Sequence, residues 1–254
     1  MIYYLNSFAC SHSFFDSRIV IETRAQFVAL VSRFYIISVA AAIMRCWYYT
    51  RKDIVILGSF SNWMLPLLPR TNLYMVVHNN LDRRFSFLLN RRQLQLLTTC
   101  IAQKEMLQFS NYIGHPLPNK NTHFRKMGAL LITNSLEIER TVRSVIVDNV
   151  VVKGKYGISY LDDLEGRLNE VEYCIIDRGY YYRSSSIIAL ALANVCKVVL
   201  FDEITVENMN ITWGISCIKQ WENWSDTREI EAHEIRENNM RFKNRLNDIL
   251  RQEK

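Results

Sequence analysis

An arginine and three serines, Arg183, Ser184, Ser185 and Ser186, stand between two short apolar runs at residues 173–176 and 198–201, and they are suited to hold a phosphorylated ligand. Both runs are rich in β-branched residues, as parallel strands covered on both faces require. Residues 187–193 are helical in composition, so the serines fall where a first helical turn begins. Free amides at a helix start carry partial positive charge, and hydroxyls and a guanidinium beside them make a site for a diphosphate. The same residues also read as an ordinary strand-helix-strand crossover with serine capping.

A second group follows the apolar run LYMVV at residues 73–77. His78, Asn79, Asn80 and Asp82 come just past its end, which is where open α/β sheets bind ligands. An imidazole titrating near neutrality could remove a proton from an acceptor hydroxyl or donate to a phosphate. A plain hydrogen bond to a neighbouring loop is the structural alternative. Between residues 83 and 126 lie eight basic residues (Arg83, Arg84, Arg91, Arg92, Lys104, Lys120, Arg125, Lys126) against one acid, Glu105, so much of the chain's net +6 is local. Such a patch suits anionic lipid headgroups or a phosphorylated acceptor, or it is simply a solvated face. Phe85 and Phe87 imitate a nucleic-acid platform. No zinc spacing, RNP-like run or helix-turn-helix signal accompanies them, so no nucleic-acid partner is expected.

Several other chemistries lack their residues. The run VVLFDE at 198–203 resembles the acidic strand of a P-loop ATPase, but no GxxxxGKS/T occurs, and Gly154-Lys155 lacks the earlier glycine. Asp162 and Asp163 suit a helix start better than a metal pair. GxSxG, HExxH and a Cys/His nucleophile pattern are also missing. The six cysteines form no CxxC pair and sit mostly in apolar runs, which predicts reduced core thiols.

These residues must be positioned by an α/β scaffold. With 49% hydrophobic residues, 8 glycines and 4 prolines in 254 residues, the composition suits one large or two modest folded domains. Strands are expected at 3–8, 53–57 and 73–77, with a long helix over 22–48 and a polar loop at 11–17 that carries His12 and Asp16. The apolar stretch 34–44 is too short to span a bilayer and is expected to be a buried helix flanking a sheet. Gly114, Pro116 and Pro118 mark a linker. Beyond it, strands at 129–132, 149–153, 173–176 and 198–201 alternate with helices. Asn134 and Ser135, the stretch from Lys153 to Gly157, and the stretch from Gly179 to Ser186 then converge on one crevice. The tail from Asp226 carries Phe242, Leu246, Ile249 and Leu250 on one helical stripe, which should dock onto a domain. The N-terminus has no basic segment of a cleavable signal.

Two Rossmann-like halves, a proline-bearing linker and a closing helix resemble the GT-B fold glycosyltransferases. The resemblance is sharpest at YYYRSSSIIALALANVCKVVLFD, which is similar to the donor-binding segment of the glycosyl transferase group 1-like enzymes of bacterial surface-polysaccharide biosynthesis. There a loop and helix run into an EAMAxGxPVV sequence. Here Leu190 to Val199 take that place; Tyr182 and Leu190 stand where the family has two glutamates, and Val195 and Lys197 where it has the turn glycine and proline. The resemblance implies an acceptor domain over residues 1–115, a linker over 116–127, a nucleotide-sugar domain over 128–225 and a C-terminal helix over 226–254. It implies a metal-independent transferase with no cofactor, moving sugar from a nucleotide-sugar to a saccharide or polyprenyl-phosphate-linked acceptor. Arg183 and the serines would hold the diphosphate, with Asn134, Ser135, Lys153, Gly179 and Tyr182 lining the donor crevice. His78 would act on the acceptor, beside Asn79, Asn80, Asp82, Arg83 and Arg84. A cytoplasmic protein, peripheral on the inner membrane face, is implied. The departures also fit a non-catalytic nucleotide- or sugar-binding assembly subunit of the same fold.

Overall fold

The computed structural model describes residues 2–6, 25–29, 35–58, 62–77, 83–92, 94–117, 126–146, 150–153, 164–177, 186–216 and 218–251. The chain divides into two compact units, Met1–Gly114 with Phe242–Lys254, and His115–Arg241.

The first unit is built on six parallel strands: β1 (Ile2–Asn6), β2 (Ala25–Ala29), β3 (Ile54–Leu57), β4 (Leu73–Val77), β5 (Gln95–Thr98) and β6 (Ser110–Tyr112). They lie in the order β2-β1-β3-β4-β5-β6. Helices α1 (Tyr35–Tyr49), α2 (Arg83–Arg92) and α3 (Ile101–Met106) and a 3-10 turn at Asn62–Leu67 join them. A parallel ladder must be crossed over at each step, so both faces become covered and the strands read as unbroken apolar runs. In β4 all five residues are buried. Alternation then sorts them: Leu73, Met75 and Val77 pack with Val39, Ala42 and Cys46 of α1, whereas Tyr74 and Val76 face Phe242, Leu246 and Leu250.

Those last residues belong to α8 (Ala232–Arg251), the final helix. The stripe expected to dock does so, and it supplies the second cover of the first sheet. Ile56, Tyr74, Val76 and Leu97 would otherwise leave a face of large side chains in water.

The second unit holds β7 (Ala129–Ile132), β8 (Val150–Lys153), β9 (Tyr173–Ile176), β10 (Lys197–Leu200) and β11 (Lys219–Gln220), all parallel, in the order β11-β10-β9-β7-β8. Helices α4 (Leu136–Val145), α5 (Leu164–Glu170), α6 (Ser186–Ala193) and α7 (Glu203–Trp213) connect them. One face packs on α5, α6 and α7, the other on Val142 of α4 and on Trp224.

Two expectations need correction. The single helix over 22–48 is a strand, β2, followed by α1: AQFVA pairs in parallel with the whole of β1, and strand pairing overrides helical composition where an edge is open. Nor is α1 buried all round, since Met44, Trp47 and Tyr48 face outward. The polar loop at 11–17, with His12 and Asp16, lies outside the described residues, as do Asp162 and Asp163.

Candidate functional site

In the second sheet the chain runs outward from β7 to β8, then returns past β7 to β9. The connections leaving β7 and β9 therefore depart in opposite directions, which makes the carboxyl ends of these two strands the topological switch point, the usual place for a ligand in such sheets. Ile132 and Ile176 are paired there, and the Asp177 amide extends the ladder by donating to the Ile132 carbonyl at 2.9 Å.

Polar side chains begin at that point. The buried Thr133 hydroxyl donates to Asp177 Oδ2 at 2.6 Å and accepts from the Ser135 amide at 2.9 Å. Ser135 in turn caps α4, its Oγ accepting from the Ile138 amide at 3.3 Å. Glu137 and Glu139 in the first turn suit the helix dipole. Asn134, next to them, is exposed. The arrangement sets a half-exposed carboxylate, held by the threonine hydroxyl, and an exposed asparagine at the ends of β9 and β7.

Asn134 and Ser135 follow β7 at this switch point, and Lys153 ends β8 directly across from Ile132. Ser135 is already engaged as a helix cap, so its hydroxyl is a positioning group. Ser186 opens α6. Gly179, Tyr182, Arg183, Ser184 and Ser185 lie outside the described residues, as do His78, Asn79, Asn80 and Asp82. Arg83 and Arg84 begin α2, but their side chains fall outside the description.

Thr133 and Asp177 carry the geometry, and sequence reasoning gave them no role. The available signal was position: each is the first polar residue after a buried strand. Asp202, by contrast, is spent locally, accepting from the Ile204 amide at 3.1 Å and the Thr205 hydroxyl at 2.7 Å as the cap of α7. The acidic end of VVLFDE is thus a cap.

Of the basic stretch 83–126, Arg91 and Lys104 are exposed. Lys126 turns inward instead. Its Nζ donates to the Leu168 carbonyl at 3.1 Å and to the Asn194 carbonyl, where α5 and α6 end, a favourable place for a cation. Counting charge along the chain overestimates the patch by that residue.

The four described thiols match their expected role. Cys46, Cys100, Cys174 and Cys196 are buried thiols, and Cys10 and Cys217 lie outside the described residues. Burial pushes Cys46 up to about 12 and Cys196 to about 11, leaving inert thiols at neutral pH. Among the described residues no group of three or more His, Cys, Asp or Glu side chains could hold a metal ion. No described helix is long and apolar enough to cross a membrane.

The described residues define a Rossmann-like α/β protein with two parallel sheets. No protein-family model and no curated protein matches the chain. Among solved structures, a D-3-phosphoglycerate dehydrogenase oxidoreductase from Ralstonia solanacearum aligns over 99% of this chain and 94% of its own, at 11% identity and a TM-score of 0.32. At that level the likeness decides nothing about this chain.

Proposed function

We infer that the protein transfers a sugar from a nucleotide-sugar to a saccharide or lipid-linked acceptor, with the donor held by the second unit. The observation that supports this most is the switch point where β7 and β9 end, with Thr133 bonded to Asp177 and Asn134 exposed beside it. A carboxylate repels phosphate, so Asp177 suits a ribose or sugar hydroxyl, which donates to it. The diphosphate then falls to Arg183 and the amides at the start of α6. In the reaction the acceptor oxygen bonds to the anomeric carbon as the bond to the diphosphate breaks. The acceptor proton passes to a base, for which His78 is the candidate, and the charge gained by the diphosphate is met by Arg183 and the amides.

The test is a calorimetric titration of the intact chain with UDP, GDP, CMP and dTDP. One of them should bind, and Arg183→Ala should weaken it by about ten- to a hundredfold with the fold intact, as expected for a charge-assisted hydrogen bond to phosphate. Unchanged affinity in the folded variant would overturn the donor-site assignment.

A further inference from the structure

Helix α1 is apolar on the side where a surface helix should be polar. Its inward face, Val39, Ala42 and Cys46, is fully buried against the first sheet. Its outward face presents Ala40, Met44, Trp47 and Tyr48, at helical spacing, and the last three are 66%, 52% and 70% exposed. Arg45 is the one charged residue in the helix.

The patch continues beyond the helix and acquires a rim. Trp47 Nε1 donates to the Leu67 carbonyl at 2.7 Å, which brings exposed Leu67 alongside. The Asn72 side-chain amide donates to the Thr50 carbonyl at 2.9 Å and ties the 70–72 turn to the end of α1. Arg51, Lys52 and Arg70 thus stand exposed at that end. Between Tyr35 and Lys104 the sequence has only two acids, Asp53 and Asp82. Tyr48 meets Tyr49 edge-on at 5.2 Å, and Tyr49 stacks on Tyr3 at 3.9 Å, so the aromatic end is braced against β1.

We propose that this face of α1 docks reversibly on an anionic lipid bilayer. Tryptophan and tyrosine favour the interface between hydrocarbon and water, and a cationic rim adds attraction to acidic headgroups. A second copy is the poorer occupant, since it would bring the same cationic residues and no acidic counterpart for them, whereas acidic headgroups neutralise them. The surface differs from the basic stretch that the sequence pointed to, and it does not depend on the glycosyl-transfer reading.

The experiment is co-sedimentation of the full chain, without nucleotide, with phosphatidylcholine vesicles lacking or containing phosphatidylglycerol. Binding should require phosphatidylglycerol and fade with salt. Met44→Ser with Tyr48→Ser, which removes no hydrogen bond described above, should lower partitioning by roughly tenfold or more, since both side chains bury apolar area in the interface. Arg51→Gln with Lys52→Gln should lower it by roughly fivefold for each charge removed. Equal binding to neutral vesicles, undiminished binding by both folded variants, or a loss that follows Phe87→Ser instead would overturn the proposal. So would a dimer that Met44→Ser dissolves. Because nucleotide binding is read separately, failure of either idea leaves the other standing.

Discussion

Val195 has φ of +59°, a conformation that β-branched residues rarely adopt. The reason is the end of α6: Cys196 N donates to the Ala191 carbonyl and Val195 N to the Leu192 carbonyl, both at 2.9 Å. This is the paired-bond termination that usually places glycine where Val195 stands. Val195→Gly should therefore stabilise the protein by on the order of 1 kcal/mol, seen as a higher urea midpoint at unchanged slope. A lower midpoint would show that Val195's packing outweighs its strain. A second residue-scale effect concerns His115, which is buried with its ring edge-on to Trp213 at 5.8 Å. Burial pushes its pKa down from 6.5 to about 4, against the opposing effect of its bond to the Pro116 carbonyl. Between those values the unfolded chain takes up a proton that the folded chain refuses. Stability is thus full above pH 6.5 and falls as the pH drops toward 4. At mildly acid pH the loss should approach about 2 kcal/mol. Urea unfolding at neutral and acid pH, compared with His115→Phe, checks it, and an equal loss in the variant would assign the effect elsewhere.

At the scale of elements, α8 does two jobs with two stretches of one helix. Its start is capped by Glu234, which accepts from the Glu231 amide and is held by Arg228 through two bonds of 2.7 and 2.8 Å. Asn238 donates to the His115 carbonyl, and Asn239 bonds both the amide and the carbonyl of Leu117, so that segment is clamped within the second unit. From Phe242 onward the helix belongs to the first unit. Phe242→Ala should cost about 3 to 5 kcal/mol and Leu246→Ala about 2 to 5, because each leaves a cavity over β4. Met240→Ala, at an exposed position, should change stability by no more than about 0.5 kcal/mol. Chemical denaturation measures all three, and equal effects would mean that the stripe does not cover the sheet.

For the whole molecule, the proposed division of labour makes a separable prediction. Arg183 belongs to the second unit and His78 to the first, so their substitutions should act on different steps. His78→Ala should lower turnover by roughly a hundredfold or more while nucleotide affinity barely changes. Affinity that falls with turnover would make His78 a phosphate contact. Normal turnover in the folded variant would remove it from the mechanism.

The apolar runs determined the buried strands by themselves, because a strand covered on both faces cannot carry polar residues: LYMVV, ALLI and YCII became β4, β7 and β9 within the bounds their composition marks. The docking stripe on α8 was equally legible, since helical spacing places Phe242, Leu246 and Leu250 on one face. Short or mixed runs were not, and QLLT, SNY and AQFVA became strands through neighbours far away in sequence. The candidate site was half legible. Asn134 and Ser135 were marked by their strand end, but the bond from Thr133 to Asp177 links residues 44 positions apart and exists only because β9 pairs with β7. Helices α1 and α6 show the remaining limit. Both are mostly apolar, yet α6 is enclosed from Ile188 to Ala193 while α1 turns Met44, Trp47 and Tyr48 outward. Composition states what a helix face can bury; only tertiary packing decides whether the chain itself covers that face.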